Sequence, residues 1–473
     1  MHFSLKLPIR RLLLCSVCIA IIASGVLLWL LSLEGTIGLF IWDADSRNHF
    51  YLLGGCAVLS WIISLLLTGI VTPRALWFFY PLLLLCLALP VSYAIFVMAK
   101  IVPQLKEAPA VLFITDSQGE YSLPNLALSV RGSSPRAVHL TDGVNNATIA
   151  GELTEGTVIF PLRGLKPSTR YRWHFDDGTA GTFLTPALSE GKTTLICRFA
   201  VASDIHGSED RSNKTATEKI LRYIADEASV FNYFFFLGNA QHRGMENEQW
   251  QETLSTFSLI SATVPLRPIM GNQEALIGGK RHYLTYCYPP GMETQRGSRL
   301  YYRIDIGNVR ILMLHLLWDS RDFDAQQKAW LLRQLENISP DDWIFVLFHA
   351  PAYASGTNAK EYSAEGDSAG DNQKIIRDIV PILERFKVNA VFTGQNNFLE
   401  ALQSNGIHYF LAGGMGGMID RELNYTSEAS LWQMREHGFI DVAVYPSVAE
   451  VVFRSATGEK LSSFVIKKRG DRS

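Results

Sequence analysis

The chain has 473 residues, a formal net charge of -2 and a mean hydropathy of +0.11. That length suits two or three domains rather than one, and the near-zero charge excludes a bulk basic surface for nucleic acid. The apolar excess lies at the front of the chain, where the predicted elements begin.

Three apolar runs come first: Leu12 to Leu33, Phe50 to Val71 and Trp77 to Val102. Each is long enough to span a bilayer, which takes roughly 20 residues. Pro81 and Pro90 in the third are tolerated in a packed membrane helix. Trp42, Tyr51, Trp77 and Tyr80 stand near run ends, where aromatic belts form. A cleavable signal peptide would have a shorter apolar core, roughly 7–15 residues, and two further runs follow here. Lys6, Arg10 and Arg11 precede the first run, whereas Glu34, Asp43 and Asp45 outnumber Arg47 after it. The expectation is a cytoplasmic amino terminus and a multi-pass protein of the plasma (inner) membrane. Everything after Lys100 is then on the extracytoplasmic or periplasmic side.

Four of the six cysteines, Cys15, Cys18, Cys56 and Cys86, fall in these runs. Cys197 and Cys287 are left either to pair or to stay as buried thiols, since two cysteines do not define a disulfide framework. From Ala108 to Pro186, short alternating runs such as Leu126 to Val130, Ala137 to Leu140 and Thr157 to Leu162 are split by turn residues, the pattern of a small β sandwich. Gly164 to Phe175 reads GLKPSTRYRWHF. It resembles the Leu-x-Pro-x-Thr-x-Tyr stretch of fibronectin type III domains, which would make Tyr171 the corner tyrosine.

After Thr194 apolar runs alternate with amphipathic helices, the mark of an α/β layer fold. Strands are predicted at Leu195 to Ala202, Tyr233 to Leu237, Ile311 to Leu317, Ile344 to Phe348, Ala390 to Thr393, His408 to Ala412 and Ala443 to Phe453. Helical faces gather Ile220, Leu221, Ile224 and Ala225, then Trp330, Leu331 and Leu335, then Ile375, Ile379, Val380 and Leu383. His315 and His408 sit inside apolar runs and read as core histidines. The predicted division is a membrane segment over 1–103, a β domain over 104–190 and the α/β domain over 191–473. A polar loop from Ala354 to Asp371 either covers a site or is plain surface.

Each predicted strand ends in polar residues able to face one crevice, where α/β folds bind ligands. Asp204 and His206 follow FAVAS; Gly238 and Asn239 open GNAQHRG; Gly271, Asn272, Gln273 and Glu274 read GNQE; His349 follows WIFVLF; and Gly394 to Asn397 read GQNN. An Asp and a His two apart past a strand end can turn toward one metal.

The order and spacing resemble calcineurin-like metallophosphoesterases, and with the preceding β domain the chain looks like a purple acid phosphatase. That family's motifs run Asp-x-His, Gly-Asp, Gly-Asn-His-Asp/Glu, His and Gly-His-x-His. QQKAWLLRQLEN and the Gly413 to Gly417 run also look like family segments. The resemblance covers Arg198 to Gly417. It implies a two-sheet α/β/β/α sandwich and phosphate ester hydrolysis by a metal-activated water.

Carried over residue by residue, the resemblance assigns the metal positions to Asp204, His206, Asn239, Asn272, His349, Gln395 and Asn397. Gln273 and Arg243 would act on the substrate, and His242 is a possible extra ligand. Four positions depart from the pattern. The bridging Asp is Asn239, the acid-assisting His is Gln273, and the two His of the last motif are Gln395 and Asn397. Two cations about 3.5–4 Å apart need anionic charge between them, and amides cannot supply it. Imidazole nitrogens suit zinc or iron, whereas amide oxygens suit harder ions. The expectation is a divalent metal, with Zn, Fe, Mn and Mg undistinguished, and fewer than two ions. The predicted function is a membrane-anchored phosphoesterase with a degraded centre and weak activity, its expected partner a phosphate-containing small molecule. The alternative is a pseudophosphatase that binds a ligand or protein.

Overall fold

The computed structural model describes residues 103–468, apart from 118–120, 133–136, 189–193, 208–211, 228–229, 276–278, 290–291, 293–296 and 357–369. The three apolar runs and the middle of the 354–371 loop lie outside the described residues. Among the described residues no helix is long and apolar enough to cross a membrane.

The β-rich part comprises β1 (Ala108–Ser117), β2 (Pro124–Arg131), β3 (Ala137–Thr141), β4 (Asn146–Ala150), β5 (Glu152–Thr154), β6 (Thr157–Leu162), β7 (Arg170–His174) and β8 (Ala180–Leu184). Alternation works as strand geometry requires: in β7, Tyr171 and Trp173 are buried while Arg170, Arg172 and His174 face solvent. The Tyr171 hydroxyl accepts from the Lys166 backbone N–H at 2.9 Å.

The α/β part follows with β9 (Cys197–Ala202), α1 (Lys214–Asp226), β10 (Tyr233–Phe236), α2 (Asn247–Ser261), β11 (Leu266–Pro268), α3 (Asn272–Ala275) and α4 (Gly279–Tyr286). Next come β12 (Tyr302–Ile306), β13 (Val309–Met313), α5 (Ala325–Glu336), β14 (Trp343–Leu347), α6 (Gln373–Asp378), α7 (Val380–Arg385) and β15 (Ala390–Thr393). The chain ends in β16 (Leu399–Ser404), β17 (Ile407–Ala412), β18 (Ser430–Met434), β19 (Gly438–Val444), β20 (Val448–Ser455) and β21 (Lys460–Lys467).

One sheet runs β12-β13-β14-β15-β17-β16-β18. The other runs β21-β20-β19-β9-β10-β11-β1-β2-β6-β5, so the front strands extend it through a parallel pairing of β1 with β11 at Phe113 and Leu266. The remaining front strands form their own sheet, β4-β3-β7-β8. Parallel strands β9, β10, β14 and β15 are almost wholly buried, as expected of strands covered on both faces. The two large sheets meet through aromatic rings: Phe199 of β9 lies 6.0 Å from Phe345 of β14 and 6.3 Å from Phe392 of β15. The apolar faces of α5, α6 and α7 cover the seven-stranded sheet, where Trp330, Leu331, Ile375, Ile379 and Leu383 pack with Ile344 and Val346. Helix–sheet–sheet–helix layering of this kind is the α/β sandwich read from the sequence.

Two local expectations change. Ala443 to Phe453 is not one strand; it turns at 445–447, around Pro446, between antiparallel β19 and β20. Proline lacks the N–H a continuous ladder needs. The helical face through Ile375, Ile379, Val380 and Leu383 is buried throughout, but it is carried by two short helices. Pro381 opens the second, and a proline cannot continue the hydrogen bonding of the first. Cys197 and Cys287 are both free, buried thiols, and burial pushes both above the ordinary thiol range.

Candidate metal centre

The loops that leave β9, β10, β14 and β15 meet at Asp204. Backbone N–H groups of Asp204, Ile205 and Gly207 donate to Gly238, Asn239 and Ala240 at 2.9–3.0 Å, stitching the first two loops together. Gly394 N–H donates to His349 O at 2.9 Å, and Gly417 N–H to Asp204 O at 2.7 Å. Glycine is required where these loops touch: a Cβ at 394 would stand 2.0 Å from Ser203 Oγ and 2.8 Å from Asp204 Oδ2.

Asp204, His206, Asn239 and Gln395 all have positive φ, at 63°, 50°, 59° and 79°. Such conformations cost roughly 1–3 kcal/mol each and persist only where surroundings over-determine them. All four are positions named from the sequence, so the strained backbone conformations of this region gather at the crevice.

Asp204 is fully buried. Its Oδ1 accepts from Asn239 Nδ2 at 2.9 Å and lies 3.3 Å from His206 Nε2; its Oδ2 accepts from Ser203 Oγ at 2.5 Å and from Gln395 N at 2.8 Å. Asn239 also accepts at Oδ1 from Gln273 N at 3.0 Å. Asn397 faces His206 across Gly417, where a Cβ would stand 2.6 Å from Asn397 Oδ1 and 2.8 Å from the His206 ring. Asp420 Oδ2 anchors Asn397 N at 2.7 Å.

His349 and Asn272 form a second pair. His349 Nδ1 is 2.7 Å from Leu237 O, so Nδ1 carries the proton there, because a carbonyl only accepts. Burial lowers the His349 pKa, opposed by the Asp204 charge. The neutral ring therefore turns its Nε2 lone pair toward Asn272 Oδ1, 2.9 Å away. Two acceptors facing one another at that distance fit a shared cation, or an amide turned to present its NH2. Among the described residues no three His, Cys, Asp or Glu side chains converge as a metal site. A cation between these two would rest on one amide oxygen and one imidazole nitrogen.

Gln273 Oε1 and Gln395 Oε1 are buried without a hydrogen-bond partner. His242 and Arg243 stand at the turn into α2, where their backbone N–H groups donate to Gln249 Oε1 at 3.1 and 2.8 Å. Arg243 Nη1 lies 3.5 Å from Glu246 Oε1. Sequence reasoning passed over Ser203, which clamps Asp204. Glu274, one of the polar residues predicted to face the crevice, has a backbone-binding role that the sequence does not show. Glu274 is buried and accepts from the backbone N–H groups of Gly271, Asn239, Ala240 and Gln241 at 2.7, 2.8, 2.6 and 3.5 Å. Burial raises its pKa against those four donors.

Residues 197–394 match the model of the calcineurin-like phosphoesterase family. Tartrate-resistant acid phosphatase type 5 of Oryctolagus cuniculus is 23% identical over 326 residues, 59% of this chain and 94% of that protein. The Mus musculus form is 24% identical over 327 residues, 60% of this chain and 94% of that protein. Among solved structures, the purple acid phosphatase PPD1 of Lupinus luteus seeds superposes with a TM-score of 0.59 at 15% identity, covering 76% of this chain and 74% of its own. PhoD gives a TM-score of 0.58 at 12% identity, covering 78% and 92%. At those identities the structures speak for the fold.

Proposed function

Since residues 197–394 form a calcineurin-like phosphoesterase domain of purple-acid-phosphatase kind, we propose that this chain is a membrane-anchored, extracytoplasmic phosphate-ester protein. In this reading its two-ion centre is reduced to a single-cation half and its hydrolysis is weak. The observation that carries this is the Asn239 amide bonded to Asp204, at the position where the family places a shared carboxylate. Without that charge, a second cation beside the first lacks its counter-ion.

The residues present fit one hard divalent cation at Asn272 Oδ1 and His349 Nε2 better than a pair. When bound, such an ion polarises a phosphate oxygen and lowers the pKa of a coordinated water. Asn272 and His349 would hold it, with the Leu237 carbonyl fixing the histidine tautomer. Gln273 can offer a hydrogen bond to a leaving oxygen but no proton, because a carboxamide does not ionise. Esters with good leaving groups are therefore the ones this site can cleave. Arg243 is engaged with Glu246 and would have to leave it to reach a phosphate.

A second reading, a pseudophosphatase that binds a phosphate ligand or a protein, is favoured by the four donors that already occupy Asp204. The anchor rests on the apolar runs over 12–33, 50–71 and 77–102 and their flanking charges. The fibronectin-III-like reading of β1 to β8 rests on the Tyr171 back-bond.

Metal analysis of the purified full chain tests the proposal, with turnover of an aryl phosphomonoester measured alongside. Fewer than two ions per chain and slow turnover are expected. Joint replacement of Asn239→Asp, Gln273→His, Gln395→His and Asn397→His should raise both. Two tightly bound ions with fast wild-type turnover would sink the proposal.

A further inference from the structure

The Asn239 carboxamide has partners of opposite kind at its two ends. Asp204 Oδ1, a pure acceptor, takes its NH2 at 2.9 Å, and Gln273 N–H, a pure donor, gives to its oxygen at 3.0 Å. Those two partners settle which end of the amide is nitrogen. Asn239 is held in that slot from three further directions. Its backbone N–H donates to Glu274 Oε2 at 2.8 Å. Its φ of 59° belongs to the left-handed region that asparagine and aspartate tolerate best among side-chain residues. A Cβ on Gly271 would come within 2.4 Å of its Oδ1.

Asp204 and Asn239 are 0% and 2% exposed. A buried carboxylate without a compensating positive or donating group is costly. Here the two oxygens of Asp204 take Asn239 Nδ2, His206 Nε2, Ser203 Oγ and Gln395 N. With an aspartate at 239 the same shape would still accept from Gln273. Its other oxygen would then meet Asp204 Oδ1 across the gap now spanned by the NH2, and two buried carboxylates so close need a cation between them or a shared proton, either at a cost in stability.

We propose that the Asn239 carboxamide replaces the cation at Asp204, so that the loops of this crevice fold and stay closed without metal. The inference rests on the reading of a reduced centre and adds that the Asp204, His206 and Asn239 half is locked by hydrogen bonds rather than vacant for an ion. The crevice is then a permanent, metal-independent platform, and the single change at 239 decides whether folding depends on a divalent ion.

Thermal unfolding of the full chain, in EDTA and in Mn2+ or Zn2+, tests this. Wild type should stay folded and melt cooperatively in EDTA, with metal adding only the rise that one ion at Asn272 and His349 supplies. Asn239→Asp should melt on the order of 5 °C lower in EDTA and recover with metal. The exchanged variant, Asp204→Asn with Asn239→Asp, restores an amide facing a carboxylate and should regain most of the wild-type value in EDTA. Recovery of Asn239→Asp only when it is expressed with metal supports the proposal equally, and the exchanged variant then decides it. The proposal is overturned if Asn239→Asp is as stable as wild type in EDTA, or if the exchanged variant is no better than the single one. Two ions bound to wild type would instead remove the reduced-centre reading. A metal-free wild type whose Asn239→Asp form needs no metal removes this inference alone.

Discussion

At the scale of single residues, the crevice depends on side chains that bind backbone as much as on those that could bind an ion. Glu274 gathers four N–H groups from the loops after β10 and β11, and so sets the path of Asn239 and Gly271. Glu274→Gln keeps the volume but turns an NH2 onto one pair of these donors. Leaving buried donors unpaired costs about 1–3 kcal/mol. A loss of about 2–3 kcal/mol in urea unfolding is expected, and a loss below about 0.5 kcal/mol would deny Glu274 this role. Ser203 acts by donation instead, its hydroxyl giving to Asp204 Oδ2 from the adjoining position in the chain.

Among elements, α1 shows how a helix end can steady the site. Asn213 caps it, accepting from Ala216 N–H at 3.0 Å, while its own N–H donates to Gly416 O at 2.6 Å. Gly416 in turn donates to Asp204 O at 3.1 Å. Asn213→Ala should cost about 1 kcal/mol, the usual value of a lost cap. The backbone bond to Gly416 survives that change, so amide exchange should quicken in the first turn of α1 and stay slow at Gly416. Equal quickening at both would show that the cap side chain, not the backbone bond, holds the glycine-rich segment.

For the molecule as a whole, acid sensitivity follows from half-buried imidazoles. Burial pushes the His315 pKa down to about 3, assisted by the Lys280 charge, and burial lowers that of His437. A histidine whose folded pKa is depressed binds its proton first in the unfolded chain. Its contribution is intact above the unfolded pKa, about 6.5, and is lost as pH falls below that value. At pH 5 His315 accounts for up to about 2 kcal/mol of lost stability. Burial raises Glu274, Glu400, Asp322 and Asp342, which take up protons first in the folded chain and act in the opposite sense at lower pH. The expected loss therefore falls between about pH 6.5 and 5. Denaturant midpoints measured across that range check it, and His315→Gln should flatten the slope.

Periodicity and strand-end chemistry were legible along the chain. The runs at 197–202, 233–236 and 390–393 are apolar because both their faces are covered, and the loops that follow them meet at Asp204. Pro446 and Pro381 marked a turn and a helix break that apolar counting overlooked. The identity of each crevice residue, and hence its formal charge, was a property of the sequence alone. Only the tertiary structure decided what those residues do to one another, since Asp204, Asn239 and Gln395 are brought into contact across 191 positions by two facing sheets. It also decided that the front strands extend the ten-stranded sheet, through a single β1–β11 pairing. Local pattern encodes which face of a strand is apolar. It does not encode which distant edge that strand will hydrogen-bond, because that choice is made by packing between segments far apart in the chain.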